Sequence, residues 1–397
     1  MKEYFVDLHA HIGRNSEGKK VKVAGARDLT FENIAREAAK RKGIEIVGVI
    51  DCASPRVLSD IDRLVRAGEM VELPGGGLRY LDQVTVIAGA EVEAPCPAGG
   101  TAHCLSFFPT LTQVRAFSRE MAGHIRNMNL STQRANMGAR ELAAATRRHD
   151  GLFVVAHAFT PHRSLYGTCA RRLSDVFLGQ ERELVDGVEL GLSADTDMAD
   201  RIAELRDYTF LSNSDAHSLP KLGREYNVML LEEASFREVA LALSRRAGRR
   251  VVANFGLDPR LGKYHLTACE DCGARFSVAA SPRVCPECGS VRLVIGVSDR
   301  IAEIADTERP VHPDHRPPYQ HQVPLEFVPG VGSATMDRLI DAFGTEMAIL
   351  HRAGLEDLSE VVGPLLAERI VLAREGELRV AAGGGGTYGK AVVAEES

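Results

Sequence analysis

Over residues 1–232, short apolar runs alternate with stretches whose apolar positions recur every three or four residues. The runs at 44–50, 84–89, 152–156, 187–190 and 208–211 are short, bounded and rich in Val, Ile and Leu, as buried strands are. Between them, 30–42 opens with Thr30-Phe31-Glu32-Asn33 ahead of apolar residues at helical spacing, and 136–148 repeats the pattern. Alternating strand and helix predicts an α/β fold with a parallel sheet covered by helices. If that sheet closes into a barrel, functional side chains collect at the carboxyl ends of its strands.

Two stretches break the alternation. Residues 66–79, with Leu73-Pro74-Gly75-Gly76-Gly77, read as a turn or surface insertion. Residues 123–133 are too polar for a core strand and read as a solvated connection rather than a loop over a site. A helix with a basic end is expected over 235–250, which closes a first domain at 1–250.

Beyond 250 the pattern changes. Cys269-x2-Cys272 and Cys285-x2-Cys288 are separated by 12 residues, so two tight turns present four thiolates to one tetrahedral zinc ion. No coordination position is left for water, so this zinc is structural and stands in for a core in a module spanning 251–310. Residues 311–324 hold four prolines and three histidines and read as an extended linker. Within 325–397, Val328-Pro329-Gly330-Val331-Gly332-Ser333 leads into helical 334–343, and a poorer copy of this turn stands at 361–365. Such a turn exposes backbone N–H groups at a helix start, which makes Gly330, Gly332 and Ser333 candidate phosphate contacts. The tail at 383–390 reads as a loop with no legible function.

Composition narrows the picture modestly. With 397 residues, 45% apolar and 26% charged, the chain has the balance of a soluble protein with a large core. A net charge of -6 gives no whole-chain attraction to nucleic acid, so any such surface is local or depends on metal ions. No apolar run approaches the roughly 18 residues of a membrane span, and the N-terminus enters a strand directly. A cytoplasmic protein without a membrane partner is expected, with all eight cysteines reduced.

The chemistry begins at His9-Ala10-His11, which ends the first apolar run. Side chains two apart on a strand share a face, so both imidazoles aim at one point. Glu91, His103, His157, Asp215 and His217 likewise stand at the ends of apolar runs. This donor set suits two or three zinc or manganese ions, with magnesium as an auxiliary. His9, His11, Glu91 and Asp215 are grouped around one ion, and Glu91, His103 and His157 around a second; His217 with Asp51 or Cys52 would hold a third. Two ions about 3.5–4 Å apart clamp a phosphate ester and activate a water. Asp215, Glu91 and His157 are therefore the catalytic candidates. Glu93 and Glu189 are secondary candidates, the latter to orient a ligand histidine. His162 would reach a phosphate oxygen or cap a loop.

The series His9-x-His11, Glu91, His103, His157 and Asp215-x-His217 resembles the polymerase and histidinol phosphatase (PHP) superfamily. Residues 156–161, 189–193 and 212–217, followed by the four-cysteine unit and the Val-Pro-Gly-Val-Gly turn, narrow the resemblance to the endonuclease Q family over nearly the whole chain. The resemblance implies a distorted PHP-type β/α barrel, then a small zinc module and a helix-hairpin-helix-like C-terminal region. It implies a metal-dependent repair endonuclease that cuts double-stranded DNA 5′ to uracil, hypoxanthine, xanthine or an abasic site. A sliding clamp is a further candidate partner. The barrel motifs alone would also suit a phosphatase of small phosphomonoesters, or an inactive DNA-binding repair protein. One departure is Asp51-Cys52, where many superfamily members carry Asp-His.

Overall fold

The first strand, β1 (Lys2–Ala10), is buried from Val6 to its end, and the sheet grows outward on both sides of it. The computed structural model describes residues 1–97, 99–277 and 284–392. Parts of the expected zinc module and the last five residues of the C-terminal region lie outside these. In chain order the next strands are β2 (Ile46–Val49), β3 (Met70–Glu72), β4 (Leu78–Tyr80), β5 (Val84–Pro95) and β6 (Thr101–Phe108). They are followed by β7 (Leu152–Val155), β8 (Gly187–Glu189), β9 (Phe210–Leu211), β10 (Tyr226–Leu231) and β11 (Arg250–Gly256). The sheet runs β11-β10-β1-β2-β5-β6-β7-β8-β9, with Tyr319–His321 added outside β11. The stretch at 66–79 becomes the β3–β4 hairpin on the flank of β5.

The sheet is mixed rather than parallel. β1–β2–β5 and β7–β8–β9 are parallel, whereas β6 runs against both β5 and β7, and β10 runs against β1 and β11. The connection from β5 to β6 is too short for a crossover, so the two can only form a hairpin. This reversal matters for function, because it brings the beginning of β6, with His103, opposite Glu93 near the end of β5.

Closure is made by side chains. Asn227 on β10 accepts the Ser212 N–H (3.0 Å) and donates to the Ser212 carbonyl (2.9 Å). Asn254 on β11 donates to the carbonyl of Phe210 in β9 (3.2 Å). These buried amides join β9 to β10 and β11 where no ladder pairs them, which curls the sheet into a distorted barrel.

The first helix is Phe31–Glu37, with Thr30 Oγ1 accepting the Asn33 N–H (3.2 Å). It continues as a wider turn, Ala38–Lys42, ended by Gly43 at φ 77°. The second predicted helix is Ala139–Arg148. The helix expected over 235–250 stops at Leu243, because Arg245, Ala247 and Gly248 all take left-handed φ and turn the chain into β11.

Residues 311–324 lie along the barrel. Arg316 and His312 both bond the buried carboxylate of Asp200 (2.8 Å each), and Tyr319–His321 pairs with β11. The C-terminal helices Ser333–Phe343, Glu346–His351, Leu355–Val362 and Pro364–Arg374 return to the barrel through Lys42–Glu346 (2.7 Å) and His351–Tyr226 (2.7 Å). Among the described residues no helix is long and apolar enough to cross a membrane.

Candidate metal centre

His9 is the penultimate residue of β1 and His11 follows its end. Asp215-Ala216-His217 is laid beside them by a short bridge in which His11 N–H donates to Ala216 O (3.0 Å) and Ala216 N–H to His9 O (3.1 Å). Buried Asp7 anchors the same loop by accepting the N–H groups of Ser214 (3.1 Å) and Gly223 (2.9 Å). Asp215 is held at φ 45° and His157 at φ 26°, conformations disfavoured for residues with a Cβ. Both strained residues point into the site, where such strain is characteristically stored.

Two groups of metal-binding atoms result: His9, His11 and Asp215, and Glu91, His103 and His157. Asp215 Oδ1 lies 3.4 Å from Nε2 of both His9 and His11. Glu91 Oε1 lies 3.0 Å from His103 Nδ1 and 3.6 Å from His157 Nε2. Donors at about 2.0–2.1 Å from a tetrahedral ion stand about 3.3–3.5 Å apart, so both groups have the spacing of ligands sharing an ion. Glu91 also stands 3.6 Å from His9 and 3.5 Å from His11, between the two groups. His9 Nε2 and Glu91 Oε1 are buried without hydrogen-bond partners, a costly state that a cation would relieve. The donor set fits divalent metal ions.

The carboxylates set up a negative field at this point that favours a cation, whether a proton or a metal ion. Burial alone would lower the pKa of His9, but the Glu189, Asp215 and Glu91 carboxylates outweigh it and push it up to about 10. Burial would raise Glu91 and Asp215, yet the surrounding His103, Lys22 and His11, and His9, His11 and His217 respectively, hold them well below the usual carboxylate range. His217 is pushed down to about 4 by burial and by the neighbouring His11.

The third grouping does not assemble. Asp51 accepts the Ile12 N–H (2.6 Å) and bonds His11 Nδ1 (3.3 Å), so it orients a ligand instead of joining the donor groups. Cys52, its neighbour, points into the apolar core, where burial pushes its thiol far up. His217 turns Nδ1 to the Asp215 carbonyl (3.0 Å) and packs against His11.

Residues beside the donors orient them, Glu189 in the way its place at a strand end predicts. Glu189 Oε2 bonds His9 Nδ1 (2.9 Å) and Oε1 accepts the His157 N–H (3.0 Å), so one carboxylate orients both groups. Residues 123–133 reach over the site after all: Thr132 Oγ1 donates to Glu91 Oε2 (2.5 Å), and Lys22 donates to the same oxygen (3.1 Å). Both lie in irregular segments without a spacing signal.

The site opens into a cavity of about 870 Å³. Lys221, Arg224, Lys263, Tyr264 and Tyr388 form part of its wall; Tyr388, from the tail without a legible function, receives a hydrogen bond from Arg224 (2.8 Å). His162 also lies on the wall, its ring edge-on to Tyr264. Glu93 pairs with Arg163 (3.3 Å) at the rim. Close by, Cys96 and Cys169 form a disulfide (Cα–Cα 5.6 Å), in contrast to the expectation of eight reduced cysteines. The end of β5 and the turn Leu165–Cys169 meet across the barrel mouth, a contact between residues 73 apart in sequence that no cysteine spacing reveals.

Farther out, the sulfurs of Cys269, Cys272, Cys285 and Cys288 lie within 4.8 Å of one another. Gly330 takes φ 102°, and Gly332 precedes the helix Ser333–Phe343 with Gly330, Gly332 and Ser333 all exposed.

A family model described as PHP-associated matches residues 195–247. The Bacillus subtilis protein YqxK is 48% identical over 392 residues, covering 98% of this chain and 99% of its own. The lesion-specific endonuclease PfuEndoQ from Pyrococcus furiosus is 34% identical and superimposes with a TM-score of 0.84, over 100% of this chain and 96% of its own. An endonuclease Q structure in complex with a 27-mer duplex, with an abasic lesion at the active site, is 34% identical with a TM-score of 0.85, over 100% and 98%. None of these relatives speaks for a sliding clamp.

Proposed function

The chain belongs to the endonuclease Q family, and on that ground we propose that it hydrolyses duplex DNA 5′ to a deaminated base (uracil, hypoxanthine or xanthine) or an abasic site. The observation that carries this reading is a barrel mouth where two His–carboxylate groups stand side by side, Glu91 of one lying within 3.6 Å of His9 and His11 of the other, beside a cavity wide enough for a nucleotide.

His9, His11 and Asp215 would hold one zinc or manganese ion, and Glu91, His103 and His157 the other. Such ions, when bound, supply Lewis acidity to a phosphoryl oxygen and lower the pKa of water. The chain's own residues do the positioning. Glu189 fixes the His9 tautomer so that Nε2 faces the site. Asp215, with its side chain 30% exposed at the cavity, is placed to take the proton of the attacking water. Lys221, Arg224 and Lys263 on the wall would hold flanking phosphates. Tyr264 and Tyr388 offer rings for a nucleotide turned out of the stack, which costs least where pairing is already damaged. His162 would touch a phosphate at the rim.

The four cysteines would hold a structural zinc in the module that follows β11, whose residues 250–256 belong to the barrel sheet and not to the module expected from 251. The exposed turn at Gly330, Gly332 and Ser333, read as helix-hairpin-helix-like, would grip duplex backbone without reading sequence.

The test is product mapping on end-labelled duplexes bearing one uracil, hypoxanthine or abasic site, with zinc, manganese or magnesium. A single cut immediately 5′ of the lesion, absent from undamaged duplex, is expected. No cut with any metal would overturn the proposal.

A further inference from the structure

Lys22 stands among the donors of the metal centre. Its Nζ donates to Glu91 Oε2 (3.1 Å) and to Thr132 Oγ1, and lies 3.1 Å from His11 Nε2. A carboxylate oxygen, a hydroxyl oxygen and an imidazole nitrogen would equally surround a metal ion. The lysine is delivered there by backbone: Val21 N–H donates to Gly13 O (3.0 Å) and Lys22 N–H to Ile12 O (2.9 Å), so its segment is pinned beside His11. From the other side comes Thr132, held at φ 52°. Only 14% of the Lys22 side chain is exposed, and that part faces the cavity.

Of the residues that would hold a third ion, Cys52 faces the apolar core and Asp51 is bonded to His11 and Ile12, so His217, whose Nδ1 is turned to a carbonyl and whose Nε2 stays open, lacks both expected partners. We propose that the Lys22 ammonium is the fixed third cation of this centre, so that the barrel takes two exchangeable metal ions. Glu91 then serves both charges, Oε1 toward His103 and His157 and Oε2 toward Lys22. Once His11 Nε2 is engaged by a metal ion, the remaining N–H of the ammonium is free to bind a phosphate oxygen in the cavity. That last role rests on the endonuclease reading; the number of ions does not.

The test counts metal in the full-length protein after saturation with zinc and removal of free ion, using native mass spectrometry. Three ions per chain are expected for the wild type, two in the barrel and one on the four cysteines. Lys22→Asp exchanges the ammonium for a carboxylate and is expected to take four. Lys22→Gln should keep three, cut a lesion duplex about a hundredfold more slowly, and lower the salt slope of duplex binding by about one. Four ions in the wild type, or Lys22→Gln cutting and binding as the wild type does, would overturn the proposal. If Lys22→Asp fails to fold, the wild-type count and Lys22→Gln decide alone. A wild type with three ions that cuts no lesion duplex would refute the endonuclease reading and leave the cation assignment standing.

Discussion

Glu189 Oε2 lies 2.9 Å from Nδ1 of His9, and both side chains are fully buried. When a metal ion displaces the second proton of His9, a carboxylate there keeps the remaining one on Nδ1 and leaves Nε2 to face Asp215 and Glu91. The same carboxylate holds the backbone of His157 and accepts from Asn213 (2.8 Å), so the strand end, the ligand loop and both donor groups are oriented through one residue.

Replacing that carboxylate should therefore loosen metal without removing a ligand. Glu189→Gln is expected to weaken binding of the barrel ions by about 10–100-fold, with the four-cysteine zinc retained. Competition with a chelator, read as ions lost per chain, checks it; affinity unchanged from wild type would contradict the orienting role.

Cys52 offers the converse case. Its thiol lies in the core cluster, so Cys52→Ala should cost about 1 kcal/mol of stability through the small void it leaves. The number of bound ions should stay the same. Loss of one ion per chain would show that Cys52 reaches the metal centre.

Glu225 supplies a pH dependence away from the ligands. It is fully buried; its Oε1 accepts the Leu257 N–H (2.9 Å) and Oε2 has no partner. Burial raises its pKa from 4.5 to about 8. A raised acid is protonated in the fold, so its contribution to stability is complete below pH 4.5 and is lost as pH rises through about 8. Glu225→Gln removes the titration. Denaturant unfolding from pH 5 to 9 should show the variant gaining on the wild type by a few kcal/mol, and parallel curves would contradict the assignment.

The sequence carried the donor set unevenly. His9 and His11 were legible because period two places both on one face, and most of the remaining ligands because each stands by the end of an apolar run; His103 instead begins one, at the start of β6. Glu91 and His103 were legible as residues but not in their geometry: they belong to a hairpin within a sheet whose strand–helix alternation reads as parallel. The side-chain closure by Asn227 and Asn254 was not legible, since an asparagine inside an apolar strand gives no clue to a partner far along the chain. Nor were Lys22 and Thr132, which reach the site from loops where no periodicity applies. Cys52 misled for a simpler reason: neighbours on a strand end face opposite ways, and Asp51 took the side toward the site.

Asp215 provides the most direct test of a metal-dependent nuclease at this barrel mouth, since it lies 3.4 Å from both His9 and His11 and is exposed to the cavity. Single-turnover cutting of a duplex bearing one deaminated base should be measured for the wild type and Asp215→Asn, with duplex affinity measured separately. Cutting is expected to fall by about a thousandfold or more while affinity stays close to wild type. Cutting by Asp215→Asn at the wild-type rate would contradict it.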